Sequence, residues 1–177
     1  MRVYECINCE ATVITDAYKM EPQFNGILFK VQSRMVEKKE DDGGVARNVD
    51  EDAEEGATAE AGDNAVAKVI DIVDANQYQK LEGWDVKAWM GDLKSYIKTV
   101  TEAAKAQGVD EKEFQAQTKA FAAFVKENKD SCDFYRVGHK DDYDSPELAM
   151  TVIAHWEDGA DAPALYYWTH GLKSYKV

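Results

Sequence analysis

The sequence predicts an α+β fold, in which a largely antiparallel sheet is assembled from both ends of the chain around an acidic loop and an inserted α-helical hairpin. Three observations carry this expectation. Between Trp84 and Lys129 apolar residues recur every three or four positions, a helical period sustained nowhere else in the chain. Short β-branched and aromatic runs lie on both sides of that stretch. Between Glu37 and Asp63 the composition turns to Glu, Asp, Gly and Ala, and no aromatic residue occurs.

A chain of 177 residues, 45% hydrophobic and carrying four Trp and nine Tyr, is long enough to bury a proper core as one domain. The expected division is a β core over 1–36, 64–80 and 131–177, a flexible acidic loop over 37–63, and a helical hairpin over 84–129. A formal charge of -13 excludes nucleic acid as the expected partner, because a phosphate backbone demands a basic surface. Proteins and cations are the expected partners instead. No run approaches the ~18 apolar residues that mark a membrane-span candidate, and the opening MRVYECINCEATV has no apolar stretch of signal-peptide length. With three Cys and no Asn-x-Ser/Thr sequon, the chain reads as a reduced, cytoplasmic protein.

Taken in order, Arg2 to Cys6 and Ala11 to Thr15 predict two strands separated at Asn8, and Pro22 with Gly26 marks a turn. Ile27 to Val36 alternates apolar and polar residues and predicts a single strand. The loop that follows holds eleven Asp or Glu against Lys38, Lys39 and Arg47. It has too little apolar surface to offset its ordering entropy. At Val66 the run AVAKVIDIVDA is dense in β-branched residues and predicts a central strand, with a polar connection from Gln77 to Gly83. In the first helix Trp89, Leu93, Tyr96, Ile97, Val100 and Ala104 form the apolar stripe, and Phe114, Phe121, Phe124 and Val125 continue it in the second. Gly108 suits a left-handed cap between them, and Asp110 with Glu113 has the spacing of a capping box. At ~1.5 Å per residue the first helix is expected to run ~35 Å. Three strands follow, over Cys132 to Val137, Leu148 to Trp156 and Ala164 to Thr169, with turns at Ser145-Pro146 and Glu157-Asp158-Gly159.

Four constellations bear on chemistry. Cys6-x-x-Cys9 has the spacing of half a zinc knuckle or a redox pair, but zinc needs four ligands and no second such pair occurs. No structural zinc is expected, and the simpler reading is two cysteines at a strand end. Asp50, Asp52, Glu54 and Glu55 place carboxylates as calcium loops do, yet Glu55 stands where an EF-hand requires glycine and Ala61 where it requires Glu. That pattern supports weak calcium attraction or a solvated, solubilising loop. His139, His155 and His170 align with no nucleophile, and no Walker, dinucleotide or G-x-S-x-G motif occurs, so no enzymatic activity is expected. Lys87, Lys94, Lys98 and Lys105 follow spacings of seven, four and seven. At ~100° per residue they fall within ~20° of one line, opposite the apolar stripe. Such a row is either a solvated helix face or a docking surface that steers acidic partners.

Several motifs occur in order along the chain: Tyr4, Asp16-x-Tyr18-Lys19, VQSRMV ending at Val36, NVDEDAEEGA from Asn48, VIDIVD from Val69 to Asp74, Tyr96-Ile97-Lys98, DFYRVG after the hairpin, and the closing APALYYWTHGLKSYKV. In this order they resemble the translationally controlled tumour protein family over nearly the whole chain. The resemblance implies a β-tent core like that of small-GTPase chaperones, with a projecting helical hairpin. It implies a cytosolic interaction protein with no established enzymatic reaction. Implied partners are tubulin and microtubules through the hairpin, translation elongation factor 1 components, Bcl-2-type proteins and a Rheb-type small GTPase, with weak Ca2+ binding and links to growth and cell survival. By position, Lys94 and Lys98 belong to the basic hairpin, while Asn48, Asp52 and His139 border the GTPase-facing groove. That groove departs from the family pattern: Ala11-Thr12 stands where relatives carry an acidic pair, and Gly138-His139 where they carry Gly-Glu. The expected function is therefore partner binding through the hairpin. The alternative is regulation of a small GTPase, as a weak exchange factor or chaperone.

Overall fold

Strands form where β-branched and aromatic residues can satisfy a backbone ladder and a packed face together. Among the residues described by the computed structural model, 1–8, 11–39, 66–137 and 149–177, they build three antiparallel sheets. β1 (Arg2–Cys6), β2 (Thr12–Thr15) and β11 (Leu172–Lys176) form one, in the order β11-β1-β2. The largest runs β3 (Glu21–Gln23), β4 (Leu28–Gln32), β10 (Ala164–Trp168), β9 (Thr151–His155), β8 (Cys132–Arg136) and β7 (Gln79–Lys80). β5 (Met35–Lys39) and β6 (Val66–Ile70) pair as a separate ribbon. The helices are α1 (Asp71–Ala75), α2 (Val86–Ala106) and α3 (Glu111–Glu127).

The six-stranded sheet is covered on both faces, which is why β9 and β10 are buried at every residue instead of alternating. Its register lines up Lys30, Tyr166, Ile153 and Phe134, and beside them Gln32, Ala164, His155 and Cys132. That face meets the hairpin. Phe134 stacks on Trp89 with ring centroids 6.1 Å apart, Tyr166 lies 5.7 Å from Phe121, and His155 meets Phe124 edge-on at 5.1 Å. On the opposite face the Tyr167 hydroxyl lies 3.0 Å from that of Tyr78, which donates to the Val13 carbonyl of β2. Burial raises the pKa of both phenols, so the chain of hydroxyls stays protonated.

The mixed α+β class and the predominance of antiparallel sheet agree with the sequence reading. Several elements differ from it. Ile27 to Val36 is two strands in two sheets, because the chain is redirected at Ser33 and Arg34. The Ser33 hydroxyl donates to the Pro163 carbonyl at 2.6 Å, Gln32 Nε2 donates to the Ala162 carbonyl at 3.2 Å, and the Arg34 N–H donates to Asp71 Oδ1 at 3.0 Å. The run from Val66 is not a central strand. Among the described residues it pairs only with β5, and it turns helical at Asp71, whose carboxylate accepts from the Ile72 N–H as well as from the Arg34 N–H. Glu37, Lys38 and Lys39, expected in the acidic loop, pair with Lys68, Ala67 and Val66, and Lys38 reaches Asp74 at 2.6 Å. Two short or polar strands escaped hydrophobic patterning: β7, held against β8, and β11, whose exposed residues pair with β1. Pro22 sits in the edge strand β3, and the turn falls on Phe24, Asn25 and Gly26, all at positive φ.

Candidate functional site

The hairpin is positioned by its ends and by its inner face. Asp85 caps α2 by accepting from the Ala88 N–H at 2.8 Å, and Asp110 caps α3 by accepting from the Glu113 N–H at 3.1 Å. Gly108 adopts φ 87°, and the Val109 N–H closes the turn onto the Ala104 carbonyl at 3.0 Å. Only half of the expected capping box forms. The Glu113 carboxylate turns away to accept from Asn25 at 2.6 Å and from Gln117 at 3.0 Å. Asn25 lies in the β3–β4 turn, so this contact fastens the distal end of the hairpin to the sheet.

Packing runs along both helices. Trp89, Leu93, Tyr96, Val100 and Ala104 of α2 are buried, as are Phe114, Phe121, Ala122 and Val125 of α3. Phe114, one turn from the distal loop, lies 6.5 Å from Trp168 and 6.2 Å from His170. The hairpin is thus a full layer of the core and not an arm seated only at its base. At 21 residues α2 is ~31 Å long, shorter than the ~35 Å expected. Close approach is possible at Gly171, where an added Cβ would collide with the Tyr96 hydroxyl. A buried charge pair fixes the rotation of α2: Arg136 Nη2 donates to Asp92 Oδ1 at 3.1 Å, and Thr151 Oγ1 donates to Asp92 Oδ2 at 2.9 Å. The Arg136 guanidinium also lies 5.5 Å from the Trp84 ring centroid.

This packing turns Lys87, Lys94, Lys98 and Lys105 to solvent. A second row was missed in the sequence, although its signal was present. Lys112, Lys119 and Lys126 recur every seven residues on α3 and are likewise exposed. Among the described residues, Lys105 alone of these seven is ion-paired, 3.7 Å from both Glu102 and Glu111. At the distal end Lys105 is therefore neutralised and Lys112 stands beside Glu111, while Lys87, Lys94, Lys98, Lys119 and Lys126 occupy the rest with no partner carboxylate among the described residues. Between the rows runs a slot of about 500 Å³ lined by Ile97, Thr101, Phe114, Gln115 and Thr118, with Lys98 and Lys119 on its rims and Glu102 and Glu111 towards the distal end. The Thr101 and Thr118 hydroxyls donate to the Ile97 and Phe114 carbonyls at 2.6 and 2.8 Å. Their polar atoms are satisfied within the helices, which leaves the slot a mainly apolar floor.

A second concave region lies on the sheet. Cavities of about 600 and 840 Å³ share Gln32 and Arg34; Tyr18, Lys19, Lys30 and Asp71 line the first, and Met35, Lys68, Trp156 and Asp161 the second. Lys30 is bound to Glu157 at 2.9 Å and Lys19 to Glu21 at 3.3 Å, so the charges there largely compensate one another.

Asn48, Asp50, Asp52, Glu54, Glu55, His139 and Cys9 lie outside the described residues, as do the second acidic cluster of Asp141, Asp142 and Asp144 and the turn at Ser145-Pro146. Cys6 is buried, and burial together with Asp133 pushes the Cys132 thiol up to about 12. His155 and His170 are buried in the core, and desolvation lowers both pKa values. Among the described residues there is no group of three or more His, Cys, Asp or Glu able to hold a metal, and no helix is long and apolar enough to cross a membrane.

The architecture recurs in known proteins. The chain superposes on the translationally controlled tumor-associated protein p23fyp of Schizosaccharomyces pombe with a TM-score of 0.71, 24% identity and complete coverage of both chains. It superposes on the translationally-controlled tumor protein of Caenorhabditis elegans with a TM-score of 0.68 and 17% identity, covering 100% of this chain and 99% of that one. At these identities the likeness is one of fold. In sequence the chain is 30% identical to the translationally-controlled tumor protein homolog of Neurospora crassa over 182 residues, spanning 100% of each. The family model for translationally controlled tumour protein matches residues 1–173. A match of that extent, on a core whose sheets and paired helices superpose with solved members, establishes that the chain belongs to the translationally controlled tumour protein family.

Proposed function

We propose that this chain is a non-catalytic, cytoplasmic interaction module that docks acidic protein partners on the lysine face of its hairpin. The observation that carries the reading is the pair of exposed lysine rows on helices held rigid by their inner faces. On a chain of formal charge -13, such a face is a local electropositive landmark able to steer an acidic surface into register. Tubulin tails on microtubules are the partner of first choice, and translation elongation factor 1 components and Bcl-2-type proteins are candidates for the same surface. The test is co-sedimentation with microtubules after changing Lys87, Lys94 and Lys98 to Glu. Binding should be lost with the melting temperature unchanged, and Lys105→Glu alone should do least, because Lys105 is already paired with Glu102 and Glu111. Undiminished sedimentation of the triple variant overturns the reading.

A second reading is favoured by the cavities that meet at Gln32 and Arg34, which offer a concave sheet surface of the kind a small GTPase could occupy. Asn48, Asp52 and His139 would contribute to it. Acceleration of nucleotide release from a candidate GTPase, lost on Arg34→Glu, would support this role. Weak Ca2+ binding through Asp50, Asp52, Glu54 and Glu55 belongs to the same proposal and is tested by calorimetry at physiological ionic strength, where mere screening of an acidic segment gives no heat of binding.

A further inference from the structure

Charge alone does not explain the shape of the hairpin's outer face. A surface built only to attract anions needs no recess, yet between the lysine rows lies the slot of about 500 Å³ floored by Ile97, Thr101, Phe114 and Thr118. Both threonine hydroxyls donate to carbonyls one turn back, so the floor presents mainly methyl groups and a ring edge, with Gln115 as the neutral polar side chain beside it. Its rims are cationic through Lys98 and Lys119. The surroundings are asymmetric. Towards the distal loop, Glu102 and Glu111 offset Lys105 and stand beside Lys112; away from it stand Lys94, Lys87 and Lys126, with no partner carboxylate among the described residues.

Resting on the docking reading above, we propose that the slot receives a single apolar side chain from an acidic peptide segment of the partner, whose carboxylates then lie along the lysines on the side away from the distal loop. Charge complementarity selects the occupant. A neutral apolar ligand would leave the rim cations unused, and a uniformly acidic chain would leave the slot filled with poorly bonded water. The recognised element is an acidic motif with one apolar anchor, and the asymmetry gives it a direction. The anchor sits at the distal end of the motif, followed by acidic residues over the ~16 Å that separates Lys98 from Lys87 along α2.

Two synthetic peptides test this on the full-length protein. One carries a single Leu ahead of a run of Glu, and the other has Gly in place of Leu. Fluorescence anisotropy at fixed ionic strength should show the Leu peptide binding about tenfold more tightly, the factor expected for burying most of one aliphatic side chain. Thr118→Trp, which fills the slot, should remove that difference while leaving the affinity for the Gly peptide unchanged. Ile97→Asn, which makes the floor polar without filling it, should reduce the difference and guards against a folding defect in the first variant. Equal affinity for the Leu and Gly peptides overturns the slot proposal while leaving charge-driven docking intact. Failure of both peptides to bind overturns the docking reading itself.

Discussion

On the inner face of the hairpin Trp89, Phe114 and Phe121 are at most 1% exposed, whereas on its outer face six lysines stand in solvent without a partner carboxylate among the described residues. The same two helices carry both sets. The inner residues touch β8, β10 and the β3–β4 turn and hold the layers together; the outer residues touch little and are free to answer to a partner. The contrast teaches that stability and binding are written on opposite sides of one element, so a substitution on one side should leave the other property unchanged.

The largest expected breach of that separation is Phe121→Ala. Its ring lies against Phe24, Trp89, Tyr166 and Trp168, and truncation should cost about 3–5 kcal/mol in urea unfolding, with lysine-face binding lost only as the protein unfolds. Asp92→Ala follows at about 3 kcal/mol, because it removes a carboxylate paired with the Arg136 guanidinium, whose side chain is 7% exposed. A double change of Asp92 to Leu and Arg136 to Met should recover much of that loss, which separates the cost of removing one partner from the worth of the pair. Asp110→Ala removes the α3 cap and should cost about 1 kcal/mol.

Acid sharpens the comparison from another side. His155 and His170 both have pKa values lowered from 6.5 by burial, so between 6.5 and the folded values the unfolded chain binds more protons than the folded one. Stability should be complete above that window and decline as pH falls through it. His170→Phe should flatten part of the acid limb measured by thermal unfolding. The smallest expected effect is that of Lys98→Glu on stability, within about 0.5 kcal/mol, even though the same change should weaken microtubule co-sedimentation.

The hairpin was legible in sequence because its evidence is local. A 3.6-residue period, a glycine at the turn and an aspartate before each helix report on neighbours three or four positions away. The lysine row on α2 was legible for the same reason, and the row on α3 could have been read by the same rule. What escaped depended on distant partners. The break after Gln32 is made by Pro163 and Asp71, and β11 is a strand because β1 lies beside it. No window around Ser33 or Lys173 contains that information. The slot was invisible because it exists only where two helices meet, and because the back-bonding that makes Thr101 and Thr118 apolar in effect is a property of coordinates.

Asp92 has one further consequence. Its two oxygens are held by Arg136 from β8 and Thr151 from β9, so the carboxylate acts as a key that indexes α2 against the sheet. Slippage of the helix by one residue would rotate it by ~100° and swing the lysine row from solvent towards the neighbouring layer. The direction in which the outer face points is thus set from the inside, by an anion that no partner would touch. Redesign of the lysines can proceed freely as long as that key stays in place.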